Sequence, residues 1–157
     1  FCPRERAIVE WDDLHVPRRL ARFRRNTPYR FSFDADFPRV VAHCALNRLG
    51  RAHSVEVWEG EELVGGIYGV DAGGAFAGES MFYLRPNASK LAFLHLFEHL
   101  HSRGLDWIDI QVMTPHMQRL GAKLVTRDVF LTKLHGALAR GLELFPKAGV
   151  QYHPAET

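Results

Sequence analysis

The sequence of 157 residues is poor in cysteine and lacks a long apolar run, and each absence excludes a class of protein. Cys2 and Cys44 form neither a disulfide framework nor a CxxC motif, which favours a reducing cytoplasm. No apolar stretch approaches the roughly 20 residues that a membrane-spanning helix needs, and no signal peptide opens the chain. We therefore expect a cytoplasmic protein that does not engage a membrane.

The overall composition is that of an ordinary globular protein. Hydrophobic residues make up 46% and charged residues 24%, and the sequence contains no repeat, low-complexity tract or linker. A chain of this length can bury one sizeable core, so residues 1–157 are predicted to form a single domain. Because the sequence starts at Phe1 and not at methionine, we expect further residues upstream in the parent protein.

The positive charge is concentrated near the start of the chain. Residues 1–30 hold eight arginines against four acids, and the segment "PRRLARFRRNTPYR" contains no acid at all. A solvated helix face would explain such a run. Arginine, however, binds phosphate with a planar fork, so the run also predicts a phosphate-binding patch. The candidate phosphate ligands are Arg18, Arg19, Arg22, Arg24 and Arg25.

Apolar periodicity and turn signals predict an α/β protein with a mixed sheet flanked by helices. Strands are predicted at 6–11 and 29–36, three more within 52–84, another at 107–112 and a last one within 122–134; helices are predicted at 16–25, 37–50, 87–103 and 115–120.

One predicted strand, "WIDIQV", carries an acid and an amide two positions apart. Side chains alternate along a strand, so Trp107, Asp109 and Gln111 should share one face, with an apolar face opposite. From spacing alone, a strand with one face in solvent is the ordinary explanation.

The order of predicted elements resembles the second half of a GNAT-type acyltransferase domain. In that fold one strand splays from its neighbour, and the acyl donor lies in the gap. The usual coenzyme A signature, R/Q-x-x-G-x-G/A before the long helix, is absent, and "LRPNASK" stands in its place. We therefore expect a GNAT-like single domain whose acyl donor is not a thioester of coenzyme A.

Six ordered blocks make the resemblance specific: "AHSVEVWEGEELVGGIYGV", "GESMF", "NASK", "DIQ", "LGA" and "RDVFLTKL". Together they resemble the leucyl/phenylalanyl-tRNA–protein transferases. The resemblance implies transfer of Leu, Phe or Met from aminoacyl-tRNA to the amino terminus of proteins that begin with Arg or Lys, which marks them for degradation. It implies contacts with the 3′ end and acceptor stem of the tRNA through the arginine patch, and neither a cofactor nor a metal.

The sequence departs from the family at two places. Residues 1–157 contain no counterpart of the small amino-terminal domain that members usually carry. A segment with a "TWI" motif is also missing between the positions that match Ala45 and Leu46, where "CA" runs directly into "LNRLG".

The resemblance also assigns roles to three polar residues. Asp109 and Gln111 match the catalytic D-x-Q, in which the amide oxygen accepts a hydrogen bond from the attacking amine. The carboxylate is expected to hold and polarise the amide NH₂. Glu79 in "GESMF" lies where a strand is predicted to enter the core, and the resemblance makes it a substrate-orienting carboxylate. An internal salt bridge is the alternative for Glu79.

The long predicted helix carries an apolar face that is typical of a core. In the family, the matching positions line a pocket for the side chain of the transferred amino acid, which should be Leu, Phe or Met. The predicted pocket residues are Ile67, Met81, Phe93, Leu96, Leu100 and Ile108.

Other functions stay open. "HLFEH", from His95 to His99, fits the zinc-protease pattern H-x-x-E-H. Such proteases need a third ligand well downstream and a larger scaffold, and the candidate ligand Glu143 lies in a segment that is predicted to be weakly structured. Glu98 and His99 are expected on the solvated side of the helix. A GNAT-type acyltransferase with a small acyl donor and a non-catalytic RNA-binding fragment are the two remaining alternatives.

Overall fold

A computed structural model of the chain describes residues 4–40 and 51–145. The elements, in chain order, are β1 (Glu5–Glu10), a 3₁₀ turn (Trp11–Asp13), α1 (Arg18–Asn26), β2 (Arg30–Phe33), α2 (Phe37–Val40), β3 (Ala52–Glu59), β4 (Glu62–Asp71), β5 (Phe76–Tyr83), α3 (Ala88–Ser102), β6 (Trp107–Gln111), α4 (Pro115–Gln118), β7 (Lys123–Thr126) and α5 (Arg127–Arg140). The junction between Ala45 and Leu46 and most of the helix predicted at 37–50 lie outside the described residues.

The seven strands form one mixed sheet in the order β2-β3-β4-β5-β6-β1-β7. Neighbouring strands are antiparallel except for β5 and β6, which run parallel. A parallel pair needs a crossover connection, and α3 provides it between β5 and β6. The mixed α/β architecture that the sequence predicts is therefore confirmed.

Helices cover both faces of the sheet, as adjacent glycines on β4 show. A Cβ added to Gly65 would lie 2.6 Å from the Cβ of Ala88 on α3, whereas one added to Gly66 would lie 3.6 Å from Val40 on α2. Successive residues of a strand face opposite sides, so α2 and α3 lie on opposite faces. Gly65 is required for the close approach of α3 to the sheet.

The central helix α3 is buried along most of its length. Its apolar side chains, among them Leu91, Phe93 and Phe97, belong to one core cluster with strand residues such as Ile8 and Ile108. Burial of this surface drives the helix onto the sheet. Of the helices within the described residues, none is long and apolar enough to span a membrane.

Several element boundaries differ from those predicted, and two of the differences have a clear physical reason. The helix α1 begins after Pro17, because a proline has no backbone N–H to donate and is tolerated only at a helix start. The segment predicted as a last strand divides instead into β7 and α5. Thr126 ends the strand and caps the helix, since its hydroxyl oxygen accepts a hydrogen bond from the Val129 N–H at 3.5 Å.

Candidate functional site

The sheet opens between β5 and β6. The two strands are paired at Ala77 and Asp109 only, within the described residues. Beyond that pair, the Gln111 carboxamide bridges the strands, because its Nε2 donates to the Gly78 carbonyl at 3.0 Å. The predicted D-x-Q motif therefore lies where the parallel strands separate.

Each strand beside this opening carries a β-bulge at or next to a predicted site residue. On β5, Ser80 pairs with Tyr68 and Gly78 pairs with Gly69, which leaves Glu79 as the extra residue. On β6, Asp109 pairs with Ile8 and Gln111 pairs with Ala7, which leaves Ile110 as the extra residue. Bulges re-aim side chains and are over-represented next to active sites.

The bulge on β6 places Gln111 in a left-handed backbone conformation, with φ of 64°. For a residue other than glycine, such a conformation is disfavoured by about 1–3 kcal/mol. The Asp109 carboxylate offsets part of this, because its Oδ1 accepts a hydrogen bond from the Gln111 backbone N–H at 2.9 Å. Beyond the bulge the predicted alternation fails: Val112, expected on an apolar face, is 71% exposed.

Asp109 is buried, with 4% of its surface exposed, and it is paired with Arg6 on β1. The guanidinium binds both carboxylate oxygens: Nε donates to Oδ1 at 2.9 Å and to Oδ2 at 3.1 Å, and Nη2 donates to Oδ2 at 2.7 Å. Arg6 also lies over the ring of Phe130 on α5, 5.2 Å from its centroid. This face of β6 is thus covered by α5, and Asp109 is not solvated.

One expectation for this motif is wrong, and one residue of the arrangement was not predicted. The Asp109 carboxylate was expected to hold the Gln111 side-chain NH₂; it binds the backbone N–H of Gln111 instead, and the NH₂ group binds Gly78. Arg6 was not predicted as part of the site. It is 103 positions from Asp109, and only the antiparallel pairing of β1 with β6 brings the two together.

Glu79 was expected to be buried, and that expectation is wrong: the residue is exposed. The bulge explains it, since the extra residue of a bulge is not held in the alternation that would turn it towards the core. Among residues 4–40 and 51–145, no ion pair or hydrogen bond to the Glu79 carboxylate is found, so the internal salt bridge considered above is not formed there.

Most of the residues predicted to line a side-chain pocket lie in the core. Phe93, Leu96, Leu100 and Ile108 are at most 2% exposed. The other two predicted members are Ile67, which is 3% exposed, and Met81, which is half-buried. Met81 lines a surface cleft of about 180 Å³ together with Arg39, Val40, Tyr68, Ser80 and Phe82.

The arginine patch lies on α1, where Arg18, Arg19, Arg22 and Arg25 are exposed. Arg24 differs, because its two terminal nitrogens donate to the Glu98 carboxylate on α3 at 2.5 Å each. The hydrogen bonds that Arg24 donates to Glu98 raise the pKa of Arg24 above its usual value. The guanidinium of Arg24 is therefore occupied by Glu98 on α3. The predicted patch is reduced to the four exposed arginines.

The H-x-x-E-H sequence of α3 does not form a metal site. Glu98 binds Arg24, and the Nε2 of His99 lies 2.7 Å from the Leu144 carbonyl oxygen. His99 is 8% exposed, which contradicts its predicted position on the solvated side of the helix. No group of three potential ligands that could hold a metal ion occurs within the described residues.

His95 stacks on the rings of Phe31 and Phe33, with centroid distances of 4.7 and 5.2 Å. Burial in these aromatic surroundings lowers the pKa of His95 to about 4. The imidazole is therefore neutral at physiological pH and serves the packing of α3 on β2.

Comparison with known proteins identifies similar sequences. The family described as "Leucyl/phenylalanyl-tRNA protein transferase" matches residues 45–135. Proteins named leucyl/phenylalanyl-tRNA–protein transferase are 42% identical in Hyphomonas neptunium and in Chromobacterium violaceum, over 90% and 85% of this chain. One from Chlorobium limicola is 41% identical over 87% of this chain and 81% of its own length.

The chain is shorter than these relatives. It spans 63% of the Hyphomonas protein and 66% of the Chromobacterium protein, slightly under two thirds of each. Among solved structures, it is similar to the one titled "The structure of L-PGS from Bacillus licheniformis", with a TM-score of 0.49 and 16% identity over 86% of this chain and 52% of that chain. A likeness at that level says nothing about function.

Proposed function

Since the chain belongs to the leucyl/phenylalanyl-tRNA protein transferase family, we propose that it transfers an amino acid from aminoacyl-tRNA to the amino terminus of a protein. The observation that carries the proposal is the opening between β5 and β6. The Gln111 carboxamide, on the strained bulge of β6, bridges this opening through its hydrogen bond to the Gly78 carbonyl. The buried Asp109 carboxylate, which is paired with Arg6, holds the bulge.

The reaction is the aminolysis of an ester. The α-amine of the acceptor attacks the aminoacyl carbonyl, the new C–N bond forms, and the C–O bond to the terminal ribose breaks. The amine loses a proton and the departing ribose oxygen gains one, so the reaction needs no external oxidant or reductant. Because the ester is already activated, the protein has to position the amine and stabilise the developing charge.

Gln111 suits the positioning role. Its Nε2 is occupied by the Gly78 carbonyl, and among the described residues no donor occupies its Oε1. A carboxamide held by its nitrogen presents its oxygen as a hydrogen-bond acceptor. We assign that oxygen to the N–H of the attacking amine. Asp109 keeps the backbone of Gln111 in place and does not contact the amine in this assignment.

Glu79 suits the binding of a cationic acceptor. It is an exposed carboxylate on the β5 side of the opening, two positions along the strand from Ala77. An exposed acid attracts an ammonium or guanidinium group without the large desolvation penalty of a buried pair. We therefore propose acceptors that begin with Arg or Lys, and transfer that marks them for degradation.

The donor is proposed to be Leu-, Phe- or Met-tRNA in the cytoplasm. The four exposed arginines of α1 provide positive charge for the phosphates of the acceptor stem. The pocket for the donor side chain is proposed at Met81, Phe93 and the neighbouring apolar positions. Phe93 is fully buried in this structure, so the side chain of the donor amino acid could reach it only if neighbouring core residues moved apart.

A single-turnover assay tests the proposal. Labelled Leu-tRNA is mixed with the protein and a peptide that begins with Arg, and the control peptide is the same sequence with an acetylated amino terminus. We expect label on the first peptide only. Transfer from acetyl-coenzyme A but not from Leu-tRNA would identify an acyltransferase with a small donor. Binding of Leu-tRNA without transfer to any peptide would identify a non-catalytic RNA-binding protein.

A further inference from the structure

Arg6 is linked to the candidate catalytic carboxamide through one carboxylate. Its side chain is 18% exposed and that of Asp109 is 5% exposed, so the pair is largely withdrawn from water. The Oδ1 atom of Asp109 accepts from the Arg6 Nε at 2.9 Å and from the Gln111 backbone N–H at 2.9 Å. The Oδ1 atom of Asp109 therefore links the guanidinium of Arg6 to the backbone of Gln111.

The geometry of the pair fixes an orientation and not merely a charge. Three hydrogen bonds join the planar guanidinium to both oxygens of Asp109, and the fork leaves the carboxylate no rotational freedom. Contact with the Phe130 ring, 5.2 Å from the guanidinium carbon to the ring centroid, holds the other side of Arg6. A lysine would preserve the charge but could not reproduce this fork.

Stability alone does not account for the arrangement. A largely buried ion pair contributes little net stability compared with apolar residues of similar volume. The same strand has a second set of ion pairs at its other end, where Glu10 binds Lys123 and Lys133. The strained backbone of Gln111, with φ of 64°, is held by the hydrogen bond from its N–H to the oriented Asp109 carboxylate.

We propose that Arg6 is a positioning residue for the transfer reaction. It orients the Asp109 carboxylate, the carboxylate holds Gln111 in the left-handed conformation, and that conformation directs the carboxamide to Gly78 across the opening. This inference rests on the proposed function, but its structural half can be tested without activity.

The structural half is tested with Arg6→Lys by NMR. The backbone amide of Gln111 and its side-chain NH₂ report the two hydrogen bonds that the proposal links. We expect both resonances to shift and the Gln111 amide to exchange faster with solvent, although the fold persists. Unchanged Gln111 resonances in Arg6→Lys would overturn the proposal, whether or not the protein is active.

The kinetic half uses the same variant in the single-turnover assay. We expect the transfer rate at saturating Leu-tRNA to fall by about tenfold to a hundredfold, as for a small misplacement of a reacting group, while the KM for Leu-tRNA stays near the wild-type value. The matched control is Arg140→Lys, which alters another arginine, one that lies near Asp106 at 3.9 Å and donates to the Gly104 carbonyl. A purely structural role of Arg6 predicts lower thermal stability with an unchanged rate per folded molecule, and that result would overturn the proposal.

A double variant separates action through Gln111 from independent action. In a Gln111→Ala background, the further change Arg6→Lys should have almost no effect on the residual rate, since residues that act as a unit are not additive. If the two rate losses multiply, Arg6 does not act through Gln111 and the proposal fails. If wild-type protein transfers nothing from Leu-tRNA while Arg6→Lys still shifts the Gln111 resonances, the proposed function fails and the linkage stands.

Discussion

The carboxylates of Asp109 and Glu56 are 4% and 0% exposed, yet their surroundings differ. Asp109 is held by the guanidinium of Arg6. Glu56 accepts hydrogen bonds only from neutral groups among the described residues: the hydroxyls of Ser32 and Ser54 at 2.6 and 2.5 Å and the backbone N–H of Ala35 at 3.3 Å. Burial raises the pKa of Glu56 above its usual value, and these hydrogen bonds oppose the shift only in part.

The sheet differs around the two acids as well. Glu56 lies on β3, which is paired with β4 from Ala52 to Glu59, with a bulge after Val57, and with β2 from Val55 to Trp58. Asp109 lies on β6, which has one pair with β5 and a bulge opposite β1. Glu56, which has a paired strand on each side, is held by neutral hydroxyls of β2 and β3, whereas Asp109, beside the opening in the sheet, is held by a charged side chain of β1. This contrast supports the proposed role of Asp109, and not Glu56, at the candidate site.

The sharpest way to test the contrast is to neutralise each acid in turn. Asp109→Asn leaves the Arg6 guanidinium without its counter-charge, so the free energy of unfolding should fall by about 3 kcal/mol. Glu56→Gln strands no charge and should change it by about 1 kcal/mol or less. Urea unfolding of both variants at pH 7 measures the difference. Equal losses of unfolding free energy in the two variants would show that the ion pair with Arg6 does not make Asp109 more costly to neutralise than Glu56.

Acid should lower the free energy of unfolding through His95, which packs on β2 beside the strand of Glu56. The folded-state pKa of about 4 lies below the ordinary value of 6.5, so the unfolded chain takes up the proton first as the pH falls. The contribution of His95 to the free energy of unfolding is therefore full above pH 6.5 and is lost as the pH falls from 6.5 to 4. The loss is about 2 kcal/mol at pH 5. Burial lowers the pKa of His99 as well, which adds to the same trend.

The matched variant for this prediction is His95→Gln, which removes the titrating ring. The loss of unfolding free energy between pH 7.5 and pH 5 should be smaller in His95→Gln than in the wild type. The nearby charges of Glu98 and Arg24 have opposite effects on His95 and do not change this sign. An identical pH dependence in both proteins would show that His95 titrates normally in the folded state.

Glu56 should show the opposite pH dependence. Its raised pKa means that folding favours the protonated form, so its contribution is full below the unfolded pKa and is lost as the pH rises through the folded pKa. Relative to wild type, Glu56→Gln should therefore be more stable at pH 7 than at pH 4, by about 1 kcal/mol or less. Urea midpoints of both proteins at the two pH values measure it, and no change in their difference would contradict the assignment.

The smallest effect is expected on the surface of α1. Replacing Arg22 and Arg25 by Ala should weaken the binding of Leu-tRNA and reduce the slope of log K against log salt by about 1 per lost phosphate contact. Arg24→Ala should leave that slope unchanged, because Arg24 binds Glu98. Fluorescence anisotropy over a salt series gives both slopes. A slope change for Arg24→Ala alone would place the phosphates on the opposite side of the helix.

Much of the fold follows from local sequence patterns. The three strands within 52–84 and the long helix α3 obey simple periodicities, and they are found as predicted. The helix α5 was missed because its segment reads as a continuation of β7, although Thr126 and Asp128 form a helix-start signal.

The candidate site could be predicted in part. Asp109 and Gln111 lie on a strand as predicted, but a period of two cannot reveal a bulge, so the exposure of Glu79 and Val112 does not follow from it. No local pattern marks Arg6 as the partner of Asp109, since the contact depends on strand order in the completed sheet. Features that depend on register or on distant pairing were the ones that sequence periodicity could not supply.

The measurement that tests the central claim most directly is the single-turnover rate of Gln111→Ala with Leu-tRNA and a peptide that begins with Arg. The variant removes the acceptor oxygen and leaves Asp109, Arg6 and the arginines of α1 in place. The account predicts a rate loss of about a hundredfold to a thousandfold, comparable to the loss of one oxyanion-hole donor, with nearly unchanged affinity for Leu-tRNA. A rate close to that of the wild type would show that the carboxamide at the opening takes no part in transfer.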